Sequence, residues 1–93
     1  MANYIVSYDL NGPYPTHKQI DDHMAKSGWT RGRILETVWY VATESTASEV
    51  FKYINIILSA NDRLIVVKAE LASFRNLLIN NDSLKTAWTN NQT

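Results

Sequence analysis

Two capping boxes constrain this chain more than anything else in its sequence. Thr16 with Gln19, and Thr46 with Glu49, set a hydroxyl three residues ahead of a carboxamide or carboxylate. In that arrangement each side chain satisfies a backbone N–H that a helix start would leave unpaired. Each box follows a run rich in β-branched and aromatic residues, Tyr4–Leu10 before the first and Leu35–Thr43 before the second. A third such run, Arg63–Leu71, comes after the turn signal Asn61-Asp62. The chain therefore alternates strand, helix, strand, helix, strand. The first helix is predicted to reach about Ser27, with Gly28 as its left-handed stop. Its apolar stripe is thin, Ile20 and Met24 with a flank of His23 or Ala25, so it leans on a sheet rather than forming a core alone. The second repeats Ala47, Val50, Phe51, Ile54, Ile57 and Leu58 at helical spacing up to about Ala60.

Between the helices, Trp29 to Thr43 reads as β structure that Gly32 splits, by a bulge or turn, into a short leading piece and the longer strand. With that split the order becomes βαββαβ. It predicts an α+β fold of the ferredoxin-like kind, an antiparallel sheet with two helices on one face. The domain spans residues 1–79, and 80–93 form a tail. Within 72–93, Ser73–Ile79 is read as a helical turn or a short strand and Ser83–Trp88 as a last helical turn, with a fraying polar end.

Period-2 geometry puts Tyr4, Val6, Tyr8 and Leu10 on one face of the first strand and Ile5, Ser7 and Asp9 on the other. Both faces of the later strands are also apolar: Trp39 and Val41 oppose Val38 and Tyr40, and Leu64 and Val66 oppose Ile65 and Val67. Two helices cover one face only, so a patch of several hundred Å2 is expected to remain, the size that marks an interaction site. A two-fold homodimer is the expected solution, with the tail crossing to or packing on the partner. The alternative is that residues 72–93 fold back over the open face of their own chain.

Composition narrows the function. Nine basic and nine acidic residues cancel, which is not the footprint of a protein that grips nucleic acid through bulk charge. Without cysteine there are no disulfides, zinc–thiolate sites or thiol nucleophiles, and His17 and His23 alone make a poor metal set. Six apart on one helix and lacking clear partners, the two histidines are read as solvated. The start has no signal-peptide layout, and no apolar run approaches the roughly 18 residues of a membrane span. The expected setting is the cytoplasm, with no membrane. Asp9 is the one charge on the first strand, placed where a rigid element meets the loop Asn11-Gly12-Pro13. The plain reading of Asp9 is an Asx turn with that loop.

Tyr8-Asp9 closing the first strand, the segment Arg33-Ile34-Leu35-Glu36-Thr37-Val38-Trp39, and the strand opening Asp62-Arg63-Leu64 carry a resemblance. Over residues 3–71 the chain resembles the CRISPR-associated Cas-two proteins. It resembles still more closely their short stand-alone bacterial relatives, sometimes labelled SinR-like, and more distantly virulence-associated protein D. The resemblance implies a ferredoxin-like homodimer acting as a metal-dependent endonuclease on RNA or double-stranded DNA. By it, Asp9 is the catalytic and metal-binding aspartate that meets its two-fold mate and shares a Mg2+. Arg33 with Arg31 would hold phosphate, and Tyr8 would orient a water or stack on a base. The chain departs from the family in having no basic cluster after the first strand, and in Leu35, where a glutamine is common. These departures keep a non-catalytic dimeric adaptor that binds protein or DNA as the alternative, and a small-ligand regulator as a third.

Overall fold

The computed structural model describes residues 1–70, 73, 75, 77–79 and 81–91. The elements are β1 (Ala2–Asp9), α1 (His17–Lys26), β2 (Thr30–Leu35), β3 (Val38–Thr43), α2 (Ala47–Asn55), β4 (Arg63–Ala69) and α3 (Asn81–Asn91). The four strands form one antiparallel sheet in the order β2-β3-β1-β4, which makes the fold α+β. Both capping boxes are present. Thr16 and Thr46 Oγ1 accept from the N–H of Gln19 and Glu49, whose side chains accept from the cap N–H in return. Gly28 has φ +76, the left-handed stop that a side chain would disfavour.

The strand faces follow the period-2 reading. Tyr4, Val6 and Tyr8 of β1 join Trp39 and Val41 of β3 in a core roofed by Ile20 and Met24 of α1 and Val50 and Ile54 of α2. Each fully buried aliphatic there stabilises the fold by roughly 1.5–3 kcal/mol. Leu64 and Val66 pack against the same core, so β4 presents Ile65 and Val67 to the opposite face.

Several expectations need correcting. The break in the second β region falls at Glu36-Thr37, not at Gly32, which lies inside β2 opposite Tyr40. The bulge comes between Arg33 and Leu35. Gly32 is small for another reason: a Cβ there would stand 3.3 Å from two carbons of Ile79. β1 starts earlier, because Ala2 pairs with Thr43, and stops at Asp9. α2 ends at Asn55 rather than near Ala60. Ile57 and Leu58 continue the apolar spacing, but on tighter bonds to the carbonyls three residues back, 3.3 and 3.2 Å. β4 closes at Ala69, and Leu71 lies outside the described residues. Residues 73, 75 and 77–79 carry neither helix nor strand, although the Leu78 N–H donates to the Ile34 carbonyl at 3.0 Å.

The largest departure is at the end of the chain. Where a single helical turn was expected, α3 runs eleven residues and folds back onto its own sheet. Leu84 and Trp88 pack on Ile34, Tyr40 and Ala42 in a second core, with Trp88 stacked on Tyr40 at 5.5 Å between ring centroids. Buried Asn3 pins the contact: it accepts from the Tyr40 hydroxyl (2.6 Å) and donates to the Trp88 carbonyl (3.1 Å). The premise that a second copy must cover the whole second face therefore fails over β2, β3 and the first half of β1, where the fold-back alternative holds. No helix among the described residues is long and apolar enough to cross a membrane.

Candidate functional site

Asp9 ends β1 on the face that carries α3, and antiparallel pairing sets Arg63, the first residue of β4, directly opposite. Their closest charged atoms, Asp9 Oδ2 and Arg63 Nη1, are 3.8 Å apart, with the side chains 63% and 80% exposed. A pair so solvated contributes only about 0–1 kcal/mol to stability. The two residues share a concavity of about 170 Å3 with Ser7, Tyr8, Leu64 and Ile65.

The turn duty proposed for Asp9 belongs to Asp62. The Asn11 N–H donates to Asp62 Oδ1 and the Ser59 N–H to Oδ2, both at 2.7 Å, while Asn11 Nδ2 donates to the Asn61 carbonyl at 2.9 Å. These donors, Asn11's first, hold the Asp62 carboxyl below its ordinary value of 3.8. The loop after β1 is thus tied to the loop before β4, and the Asp9 carboxylate has no polar contact among the described residues besides Arg63.

The other sequence-predicted residues do not converge on Asp9. Tyr8 lies on the opposite face, 2% exposed, its ring 6.3 Å from that of His17 and its buried hydroxyl without a hydrogen-bond partner among the described residues. Arg33 faces the helices. Its guanidinium lies 5.4 Å from the centre of the Trp39 ring, pairs with the Asp21 carboxylate and donates to the Glu36 carbonyl at 2.7 Å. Arg31, exposed on edge strand β2, donates to the Trp29 carbonyl at 3.1 Å. His23 is packed rather than solvated. It stacks on Tyr53 at 4.0 Å and its Nε2 lies 2.6 Å from the Tyr53 carbonyl, so that nitrogen carries the proton.

A larger groove, about 500 Å3, lies between α1 and the turn after α2, lined in part by Tyr14, Gln19, Asp22, His23 and Lys26. In it Asp22 meets Lys18 across an exposed pair, His23 is held by Tyr53, and Lys26 adds a cation; the smaller hollow is taken as the candidate because it holds Asp9, the carboxylate the sequence singled out. Among the described residues no group of three or more His, Cys, Asp and Glu side chains comes together to hold a metal. Asp9 brings one exposed carboxylate, and Mg2+ takes one or two carboxylates and keeps several waters. Sequence reasoning missed Arg63 as a site residue; the signal was its place at the start of a strand that pairs with β1. The chain matches no family model, no curated protein and no solved structure.

Proposed function

We propose that this chain works as a cytoplasmic, ferredoxin-like homodimer of the Cas-two-like kind, cleaving phosphodiester bonds of RNA or double-stranded DNA. In it, the two copies of Asp9 face one another and hold a divalent cation. The strand order β2-β3-β1-β4, with α1 and α2 on one face, supports the ferredoxin-like part. The dimer rests on one observation. The half of the second face nearest β4 presents Ile65 and Val67, 57% and 45% exposed, on an edge strand and in line with Asp9. Two-fold pairing of that strip would bury the apolar pair and bring the carboxylates together. Bound Mg2+ supplies an activated water and offsets charge on the phosphate. Asp9 is the group that holds it, and the Asn11–Asp62 clamp keeps the end of β1 in place.

A second reading, the non-catalytic adaptor, is favoured by the arginines: Arg33 is committed to Asp21 and Trp39, on the face away from Asp9. Incubating the purified chain with RNA and with duplex DNA, with and without Mg2+ or Mn2+, separates the two. The nuclease reading expects metal-dependent cleavage that Asp9→Ala abolishes. Cleavage that survives the substitution contradicts it, and salt-sensitive binding without cleavage selects the adaptor.

A further inference from the structure

Resting on that reading of the Asp9 site, we propose that its phosphate-holding cation is Arg63, helped by the Ser7 hydroxyl, rather than Arg33. Ser7 and Asp9 share one face of β1 by strand alternation, and the register sets Arg63 beside Asp9 and Ile65 beside Ser7. All three residues line one concavity. Arg63 is the loosely held member: its side chain is 80% exposed and Asp9, at 3.8 Å, is its ion-pair partner among the described residues. A guanidinium in that state keeps most of its donor fork for a phosphate, which accepts two parallel N–H bonds. Arg33 has no such freedom, since it already serves a carboxylate, a carbonyl and an indole face.

Electrostatics sharpens the assignment. With a divalent cation bound, the Asp9 carboxylate would hold Arg63 less tightly, and two positive groups would stand side by side. An anion between them relieves the repulsion, so a phosphodiester oxygen and the cation should favour each other's binding. The ligand class is therefore a nucleic-acid backbone, bound more tightly when the metal is present.

The test uses the full chain and measures anisotropy of labelled RNA and duplex DNA over a salt series, with and without Mg2+. Arg63→Ala should weaken binding several-fold, flatten the salt dependence by about one counterion per site, and remove the enhancement by Mg2+. Arg63→Lys should recover part of the affinity. Lys52→Ala, which removes an exposed charge elsewhere on α2, should bind as the parent does. If the parent binds and Arg63→Ala matches it in affinity and salt slope, the assignment of Arg63 is wrong while the Asp9 reading stands. If the parent binds neither nucleic acid, both fall. Because Arg63 is so exposed, its variants should melt with the parent, and a melt that shifts would mean the residue is structural.

Discussion

At the scale of single residues, the candidate site divides by what each charge already touches. Arg33 and Arg63 are the same residue type in opposite circumstances. Arg33, with its side chain 21% exposed, is held by Asp21, the Glu36 carbonyl and the Trp39 ring, whereas Arg63 is held by one distant carboxylate. Arg33→Ala should therefore act on stability, costing about 1–2 kcal/mol through the lost pair and cation–π contact. Chemical denaturation measures it, and a variant as stable as the parent would show that these contacts contribute nothing. The resemblance pointed to Arg33 because it reads along the chain, and a residue's prior commitments are invisible there. Arg63 was missed for the complementary reason. Its partner Asp9 lies far off in sequence, and only the pairing of β1 with β4 makes them neighbours.

Among elements, what was legible is what is local. A capping box spans four residues and strand alternation needs only two, so both helix starts, and which residues of β1, β3 and β4 share a face, could be read directly. The turn at Glu36-Thr37 was not legible because neither residue is a turn former, while Gly32 drew the break to itself for a reason seated on Ile79. The clamp between the loops after β1 and before β4 gives a pH test at this scale. The Asp62 carboxyl is depressed below 3.8 in the folded state, so it binds fewer protons folded than unfolded. Its contribution is complete above the unfolded value and is lost as pH falls below about 4 and through the folded one. Asp62→Asn should be less stable at neutral pH and should lose less stability than the parent on acidification. Parallel stability–pH curves, from denaturant melts below pH 5, would contradict the clamp.

Over the whole molecule, the sequence held a correct inference with an incomplete answer. Both faces of the sheet are apolar, and two helices do cover only one. The third helix was underestimated because its apolar signal is slight, Leu84 and Trp88 one turn apart amid polar residues, and its anchors Asn3, Ile34 and Tyr40 are remote in sequence. Its docking divides the second face into a covered part, over β2, β3, the first half of β1 and Ala69 at the end of β4, and an open strip with Ile65, Val67 and Asp9. The proposed dimer is thereby narrowed from a whole sheet face to that strip, which is also where the exposed Asp9 carboxylate lies. The measurement that bears most directly on this is the stoichiometry of Mn2+ bound by the intact chain, titrated calorimetrically beside Asp9→Asn. The account predicts one ion for every two chains and none for the variant; one ion per chain, or binding that the substitution leaves unchanged, would contradict it.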